Sequence, residues 1–369
     1  MKRALVHDWF YTKAGGEKVV EAISDIWSDF DYYTLIDTLN DQLRNEILKG
    51  SKTTTSFIQK LPRSKKNHRN YLELFPAAIE SFDLSPYDLV ISSSSSVAKG
   101  VLTNQNQLHI CYCHSPIRYA WNLYFDYLND KNLNKGIKGW YAKRVLRKIR
   151  LWDVISSNRV DFFIANSNYI AQRIKKIYNR DSVVIYPPVE TEKFTLCSEK
   201  EDFYIAASRL VSYKKIDVIL EAFNQMPDKQ LKIIGDGPEM KTLIKKANKN
   251  ITFVGKVSEE DMISNLQKAK ALVFAADEDF GILPVEAQCC GTPVIAFRKG
   301  GLLETVIENK TGVFFDRQIP EDIIKAVKVF ESSSFDFSVI RENALRFSVD
   351  RFQREFKLFV EEKLKEFYS

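Results

Sequence analysis

Two glutamates, Glu278 and Glu286, flank a glycine-containing loop in the second half of the chain. An apolar run that ends near Ala275 predicts a buried strand, and Pro284 suits the first turn of a helix that begins near Leu283. Glu278 is therefore expected in the strand-to-helix loop and Glu286 in the first turns of the helix. Because carboxylates are good acceptors for vicinal hydroxyls, these residue types suit a polyhydroxylated ligand.

The segment between the glutamates suits an anion. The N–H groups of Gly281, Ile282 and Leu283 would point at whatever binds the start of the helix, where the backbone dipoles attract phosphate. Gly281 would let the backbone approach a ligand closely. A nucleotide sugar carries hydroxyls at both ends and a diphosphate between them, which is the same order. Taken alone, the two acidic residues could equally be a solvated loop and a solvated helix face.

Cations after another strand supply a second part of such a site. Arg209 and Lys214 follow the apolar run Phe203 to Ala207 and precede a helical pattern. Two cations in that loop could neutralise a diphosphate leaving group, or they could form a basic surface loop. A third part is Gly15-Gly16, where paired glycines before a helix can cradle phosphate or only make a tight turn.

Short apolar strands alternate with amphipathic helices along the whole chain, which predicts an α/β protein with parallel sheets buried on both faces. The predicted strands are Arg3 to His7, Tyr32 to Ile36, Asp88 to Ser92, Leu108 to Cys113, Asp161 to Ala165, Phe203 to Ala207, Leu231 to Ile234, Ile251 to Val254, Ala271 to Ala275, Val294 to Ala296 and Val313 to Phe315. The predicted helices between them include Glu17 to Ile26, Ile216 to Asn224, Pro238 to Lys246 and Glu259 to Lys268.

The break between the halves falls at Tyr186-Pro187-Pro188-Val189, where two prolines favour an extended hinge. We expect two doubly wound, Rossmann-like domains, residues 1–186 and 187–348, that face each other across a cleft. Residues 349–369 show one apolar helical stripe and are expected to cross back onto the first domain. Ligands of such sheets bind at the carboxyl ends of the strands.

Bulk composition excludes several classes of protein. The 369 residues are 45% hydrophobic and 28% charged with a net charge of +6, as in an ordinary soluble protein. No apolar run is long enough to span a bilayer, and the charged start of the chain predicts no signal peptide, so a cytoplasmic protein is expected. The five cysteines match no zinc pattern and are expected to be buried. The lack of a G-x-G-x-x-G after a first strand disfavours a dehydrogenase.

Taken as an ordered set, the motifs resemble the large retaining glycosyltransferase family with two Rossmann-like domains (the GT-B fold), which includes glycogen synthases and lipopolysaccharide mannosyltransferases. The resemblance runs along nearly the whole chain and is densest from Phe203 to Phe315. The residues that carry it are Gly15-Gly16, His114 in Cys113-His114-Ser115-Pro116, Arg209 with Lys214, Gly235-Asp236-Gly237-Pro238, Glu278 with Glu286, and Gly300-Gly301.

One segment resembles a narrower group. Tyr112 to Trp121 is similar to a bacterial surface-polysaccharide branch whose members are often mannosyltransferases. Those members often carry Asp after the tryptophan, where this chain has Asn122, which puts an acid role at that position in doubt. The resemblance implies a hexosyltransferase that retains anomeric configuration, with mannose from GDP-mannose as the expected donor.

The resemblance also implies a role for each site residue. Arg209 and Lys214 would bind the donor diphosphate, helped by the backbone of Gly16 and by N–H groups near Ile282 and Leu283. Glu286 would bind the ribose hydroxyls, and Glu278 would bind hydroxyls of the donor sugar. His114, which belongs to the first domain, would contact the same sugar. The base would lie beside Val254, Lys256 and Val257.

Two of these features have plainer interpretations. His114, beside buried cysteines, could be a core histidine with satisfied hydrogen bonds. Asp277-Glu278-Asp279 has a D-x-D spacing that elsewhere holds a metal with a nucleotide diphosphate. Because Arg209 and Lys214 would already supply the positive charge, we expect no metal and no other cofactor.

The acceptor side is expected in the first domain, which carries two basic stretches, Lys60 to Arg69 and Lys131 to Arg150. The second interleaves its cations with aromatic and aliphatic residues, which suits an anionic membrane surface, a solvated helix face or nucleic acid. A lipid-linked saccharide acceptor favours the membrane. We therefore expect peripheral association with the inner face of the membrane and no nucleic-acid partner.

The sequence thus predicts transfer of a hexose to a lipid-linked saccharide in surface-polysaccharide or O-antigen biosynthesis. Three alternatives remain. The same fold could use UDP-glucose or another UDP-hexose. A sugar-nucleotide epimerase would turn over the donor without an acceptor. A non-catalytic subunit would bind the nucleotide sugar without turnover. The acceptor, the linkage position and the oligomeric state are not determined by the sequence.

Overall fold

The computed structural model describes residues 1–369, apart from the side chain of Asp130. It divides into two compact units. Unit 1 comprises Met1–Pro188 with Asp350–Ser369, and unit 2 comprises Val189–Val349. The predicted boundaries, 1–186, 187–348 and 349–369, lie within two residues of these divisions.

Unit 1 is built on one parallel sheet with the strand order β3-β2-β1-β4-β5-β6-β7. Its described strands are β1 (Arg3–His7), β2 (Phe30–Thr34), β3 (Thr53–Thr55), β4 (Leu89–Ser94), β5 (Leu108–Cys113), β6 (Phe162–Ala165) and β7 (Ser182–Val184). Every residue of β4 and β5 is buried, as expected for strands covered on both faces. The register pairs His7 of β1 with Ser93 of β4, and Ser94 with Cys113 of β5, so the carboxyl ends of the three strands meet.

Helices cover both faces of this sheet. They are α1 (Gly15–Ile26), α2 (Asp41–Leu48), α3 (Ser64–Asn67), α4 (Phe75–Glu80), α5 (Tyr124–Asp130), α6 (Gly136–Ser157) and α7 (Asn168–Tyr178), with 3₁₀ turns at Phe57–Lys60, His68–Leu74 and Ala98–Gly100. The last helix, α15 (Val349–Tyr368), contributes nearly all of its length to unit 1. Its apolar stripe is buried, and the Phe352 ring lies 5.8 Å from that of Tyr112.

A buried ion pair anchors α6 inside unit 1. The Lys99 ammonium lies 2.6 Å from the Asp153 carboxylate, and both side chains are almost completely buried. The same carboxylate accepts hydrogen bonds from Trp121 Nε1 at 2.7 Å and from the Tyr178 hydroxyl at 3.0 Å. Buried charges persist when they are paired and hydrogen-bonded in this way. The network therefore fixes the loop after β5 that ends at Trp121.

Unit 2 has its own parallel sheet with the order β10-β9-β8-β11-β12-β13. Its described strands are β8 (Phe203–Ala207), β9 (Gln230–Ile234), β10 (Ile251–Gly255), β11 (Ala271–Phe274), β12 (Val294–Phe297) and β13 (Gly312–Phe315). The helices are α8 (Ile216–Asn224), α9 (Met240–Lys246), α10 (Glu259–Lys268), α11 (Ile282–Cys289), α12 (Leu302–Thr305), α13 (Pro320–Glu331) and α14 (Phe337–Leu345), with 3₁₀ turns at Thr191–Lys193 and Ser212–Lys214.

The predicted fold class of two Rossmann-like α/β domains with parallel sheets is confirmed. Two short edge strands, β3 and β7, were not predicted: each has only three residues, and β3 consists of threonines alone. Strand β2 lies at Phe30–Thr34, two residues before its predicted position. Cys111, Cys113, Cys289 and Cys290 are buried as expected, while Cys197 is partly exposed. No helix among the described residues combines the length and the hydrophobicity needed to cross a bilayer.

Candidate functional site

In unit 2, the strand order makes β8 and β11 neighbours, so the loops that follow them lie side by side. Lys214 lies in the loop after β8 and Glu278 in the loop after β11. Their side chains form an ion pair, and each is about one-fifth exposed. The structure therefore joins a predicted phosphate-binding cation directly to the carboxylate predicted to hold the sugar. Arg209, in the same loop as Lys214, is exposed.

The glycines of Gly235-Asp236-Gly237 allow the loop after β9 to pack backbone against backbone on the Arg209 loop. A Cβ on Gly235 would lie 1.9 Å from the carbonyl oxygen of Ser208, and one on Gly237 would lie 2.2 Å from that of Leu210. The Leu210 N–H also donates to the Asp236 carbonyl at 3.0 Å. These contacts explain why the motif needs glycine, since any side chain would push the cation-bearing loop away.

Gly300 and Gly301 support the loop that carries Glu278. The Gly301 N–H donates to the Glu278 carbonyl at 2.9 Å. A Cβ on Gly300 would lie 2.3 Å from that carbonyl oxygen, and one on Gly301 would lie 2.4 Å from Cα of Phe280. The pair named by the resemblance thus holds the Glu278 backbone in place.

The start of α11 matches the predicted arrangement. Gly281 is the N-cap residue with φ +93°, a conformation that favours glycine, and the helix begins at Ile282. Pro284 is buried in the first turn, where its missing N–H leaves no intrahelical bond unmade. Leu283 and Glu286 are partly buried. The N–H groups at this end therefore remain oriented for an anion.

Three residues assigned to the base lie at the carboxyl end of β10, the edge strand beside β9. Val254 is 41% exposed, Lys256 is exposed and Val257 is partly buried. Between them, Gly255 has φ +81° and open space where a side chain would stand, and its carbonyl accepts from the Gly235 N–H at 2.8 Å. A flat ligand could therefore pack against the backbone of Gly255 at this edge of unit 2.

The D-x-D segment takes part in an ion pair. The Asp277 carboxylate lies 3.1 Å from the Lys299 ammonium. Across the described residues, no group of three or more His, Cys, Asp or Glu side chains is placed to hold a metal ion.

In unit 1, the predicted residues Gly16 and His114 lie together. A Cβ on Gly16 would lie 3.2 Å from Cε1 of His7 and 3.7 Å from Nε2 of His114. Gly15 and Gly16 form the first turn of α1, and the Ala14 N–H donates to the Glu17 carboxylate at 3.3 Å. Burial raises the pKa of Glu17, with the charge of His7 opposing that rise.

The His114 ring is held by Ser93, whose hydroxyl oxygen lies 2.8 Å from Nε2. Burial, followed by the charge of His7, lowers the pKa of His114 to about 3. Although the whole residue retains some exposure, the ring titrates as a buried one because Tyr112, His7 and Ser93 surround it. His114 is therefore neutral at physiological pH and serves as a hydrogen-bonding group.

Two residues of this site, Asp8 and Ser93, were missed by sequence reasoning. Asp8 is buried and accepts hydrogen bonds from the N–H groups of residues 95 to 98 and from the Ser95 hydroxyl, at 2.6 to 3.0 Å. The available signal was the run of five serines from Ser92 to Ser96, which directly follows an apolar strand. Small hydroxyl residues there allow the β4 loop to wrap around a carboxylate.

The basic helix α6 has both buried and exposed apolar residues. Leu146 and Ile149, two of the aliphatic residues that interleave the cations of Lys131 to Arg150, are both 1% exposed and belong to the core of unit 1. Ile137, Trp140 and Tyr141 are exposed by 86%, 64% and 51%. Leu151 and Ile155, further along α6, are also exposed, by 58% and 59%, so apolar side chains reach the surface along the helix while Leu146 and Ile149 face the core.

Two family models each match a part of the chain. Residues 189–346 match the family model described as "Glycosyl transferases group 1", and residues 31–193 match the one described as "Glycosyltransferase Family 4". Together the two matches cover most of both units.

Two curated relatives and one solved structure are similar to the chain. A GDP-mannose-dependent alpha-(1-6)-phosphatidylinositol monomannoside mannosyltransferase of Mycolicibacterium smegmatis is 33% identical over 226 residues, 51% of this chain and 57% of the relative. An uncharacterized glycosyltransferase of Methanocaldococcus jannaschii is 29% identical over 194 residues, 51% of this chain and 54% of the relative. The chain thus spans little more than half the length of these relatives.

The solved structure is HepE of Anabaena in complex with UDP-glucose. It superposes with a TM-score of 0.70 at 17% identity and covers 98% of this chain and 100% of the HepE chain. At that identity the likeness establishes the shared two-domain fold.

Proposed function

We propose that this chain is a retaining hexosyltransferase of surface-polysaccharide biosynthesis with the GT-B fold, because each half of it matches a glycosyltransferase family model. Its proposed donor is GDP-mannose and its proposed acceptor is a lipid-linked saccharide. The similarity to a mannosyltransferase that is named as GDP-mannose-dependent supports the choice of donor.

The observation that carries the proposal is the ion pair between Lys214 and Glu278. It brings a cation and a carboxylate to adjacent strand ends, beside the N-terminus of α11. A diphosphate needs the cation and the helix N–H groups, whereas a sugar hydroxyl needs the carboxylate. One nucleotide sugar requires all three groups at this spacing.

The proposed roles follow from this arrangement. Arg209 and Lys214 bind the diphosphate together with the N–H groups of Ile282 and Leu283, and Glu286 accepts from the ribose hydroxyls. The base lies against Val254, Lys256 and Val257. In unit 1, Gly15 and Gly16 offer backbone N–H groups to phosphate and His114 contacts the sugar.

In the proposed reaction, the bond between the anomeric carbon and the diphosphate oxygen breaks while the acceptor hydroxyl forms a bond on the same face. The leaving diphosphate accepts the proton of that hydroxyl. Negative charge grows on the diphosphate in the transition state, so Arg209 and Lys214 stabilise it most when the bond is breaking. These cations do the work of a metal, and the proposed enzyme needs none.

Peripheral membrane binding is proposed through two basic stretches of unit 1, Lys60 to Arg69 and Lys131 to Arg150. The exposed Ile137 and Trp140 stand among exposed cations in the first turns of α6. Apolar side chains surrounded by lysine and arginine favour binding to an anionic lipid surface, because the apolar groups insert among the lipids and the cations attract the headgroups. In flotation assays the protein should rise with vesicles that contain phosphatidylglycerol and not with neutral ones, and Trp140→Gln should weaken that binding. Equal flotation with neutral vesicles, or none with either, contradicts it.

A thermal-shift screen against GDP, UDP, dTDP and their sugars tests the donor. Stabilisation by GDP and GDP-mannose is expected, and Arg209→Gln should abolish it, whereas Arg317→Gln on the surface of the same unit should not. Stabilisation by UDP alone would replace mannose with a UDP-hexose. No stabilisation by any nucleotide would overturn the donor site. Donor turnover without an acceptor product would indicate an epimerase, and binding without turnover a non-catalytic subunit.

A further inference from the structure

A single hydroxyl, Ser93 Oγ, links two histidines of unit 1. It lies 3.1 Å from Nδ1 of His7 and 2.8 Å from Nε2 of His114, and Ser93 is fully buried at the end of β4. These three residues come from β1, β4 and the end of β5, which the sheet register brings together.

The proton on His7 can be placed from its second contact. Nδ1 of His7 also lies 3.1 Å from the carbonyl oxygen of Ser93, which can only accept a hydrogen bond. Two lone pairs facing each other at that distance would repel. Nδ1 of His7 therefore carries a proton and donates to both oxygens of Ser93.

The proton of the Ser93 hydroxyl then has one destination. Within the described part of the chain, the partners of Ser93 Oγ are the two histidines, and His7 already donates to it. The hydroxyl must therefore donate to Nε2 of His114, which accepts through a lone pair. Because burial keeps this imidazole neutral, its one ring proton lies on Nδ1.

We propose that His7 and Ser93 are positioning residues that fix His114 in the Nδ1–H tautomer. His114 then presents a neutral donor, rather than an acceptor or a base, to its ligand. The link from this donor to a sugar oxygen rests on the proposed function, but the tautomer itself does not. Gly16 takes part by its small size, since a Cβ there would lie only 3.2 Å from Cε1 of His7.

A second pair in the same strands gives an internal reference. His109 is fully buried, its Nε2 lies 2.8 Å from Ser92 Oγ, and its Nδ1 lies 3.1 Å from the Arg159 carbonyl oxygen. The same reasoning assigns it the Nδ1–H tautomer. His109 should therefore give the nitrogen spectrum expected of His114.

Nitrogen NMR of the full chain with ¹⁵N-labelled histidine tests the proposal, with His114→Gln used to assign the signal. The expected result for His114 is a protonated Nδ1 and an unprotonated Nε2, which matches His109. In Ser93→Ala that preference should be lost, whereas Ser93→Thr keeps a hydroxyl and should retain it. Ser92→Ala is the matched control, and it should disturb the signal of His109 alone.

An Nε2–H tautomer in the unaltered protein, or no change in Ser93→Ala, would overturn the proposal. If Ser93→Ala does not fold, the spectrum of the unaltered protein decides the question. On the donor, Ser93→Ala should lower kcat by about two- to tenfold, the value of one hydrogen bond, with Ser93→Thr restoring it. The predicted tautomer in a protein that binds no nucleotide sugar would overturn the proposed function and leave this assignment standing.

Discussion

At the scale of single residues, the main result is that Lys214 and Glu278 contact each other. Sequence reasoning gave them separate ligand groups, a phosphate and a sugar, and could not foresee their pairing because the two lie 64 positions apart. The pair is about four-fifths buried, so each partner keeps the other in place until a ligand offers both an anion and a hydroxyl. Under the proposed function, binding of the donor would exchange this pairing for two ligand contacts.

Glu278→Gln tests that exchange. The substitution keeps the shape but removes the charge, so donor turnover should fall about ten- to hundredfold if the carboxylate accepts from the sugar. Because the pair is about four-fifths buried, loss of the Glu278 charge leaves the Lys214 ammonium without its counter-ion, so the free energy of unfolding should fall by about 1–3 kcal/mol. Initial rates and urea unfolding provide the two measurements. Glu308→Gln, which removes an exposed partner of Arg298, should leave both values unchanged. Unaltered turnover in Glu278→Gln would exclude the sugar contact.

At the scale of elements, glycines decide how the strand-end loops pack. Gly300 has φ +70° and Gly136 has φ +74°, but the space beside them differs. A Cβ on Gly300 would lie 2.3 Å from the Glu278 carbonyl oxygen, whereas one on Gly136 would meet nothing within 4 Å. An Ala at either position adopts a strained left-handed backbone, which costs about 1–2 kcal/mol. An alanine at Gly136 therefore introduces only the backbone strain, whereas an alanine at Gly300 introduces the same strain together with a steric clash.

Gly300→Ala should lose roughly a further 1–3 kcal/mol of unfolding free energy relative to Gly136→Ala, because the Glu278 loop must move. It should also weaken nucleotide-sugar binding, which Gly136→Ala should leave intact. Urea unfolding followed by circular dichroism, together with a binding titration, measures both. Equal losses in the two variants would mean that Gly300 does not support the loop.

The elements also show what the sequence could not predict. Buried strands such as β5 and β8 were predicted at their observed bounds because continuous apolar runs mark them. The edge strand β3, three threonines, lacks that mark, and the apolar run at β7 is only a few residues long. On α6, the interleaving of cations with apolar residues does not reveal that Leu146 and Ile149 are buried while Trp140 and Tyr141 are exposed. The contacts of Ser93 depend on strand register, which no local pattern reveals.

At the scale of the whole molecule, the two units differ in composition. All four histidines and all five tryptophans of the chain lie between residues 1 and 188. Tryptophan fluorescence therefore reports the unfolding of unit 1, and histidine protonation acts on that unit alone. Burial lowers the pKa of His109 to about 4, against about 6.5 in an unfolded chain.

This shift predicts how the stability of unit 1 depends on pH. Because the folded pKa is the lower one, the unfolded chain binds the proton first, and stability is lost as pH falls from about 6.5 towards 4. Between pH 7 and pH 5, His109 alone should lower the unfolding free energy by about 2 kcal/mol. Fluorescence-detected urea unfolding measures this, and His109→Gln should remove the His109 contribution while those of His68 and His114, whose pKa values burial also lowers, remain. If the unfolding free energy of that variant depended on pH as strongly as that of the unaltered protein, His109 would not be the group responsible.

The central claim is that unit 2 holds a nucleotide sugar without a metal. Titration calorimetry of GDP-mannose into the full chain, in excess EDTA, measures it most directly. The expected result is saturable one-to-one binding, weakened at least about tenfold by Arg209→Ala and unchanged by Arg317→Ala, with turnover of Arg209→Ala reduced on the order of a hundredfold. Absence of binding by GDP-mannose and by UDP-hexoses alike, binding that disappears with EDTA, or equal binding by Arg209→Ala would contradict the account.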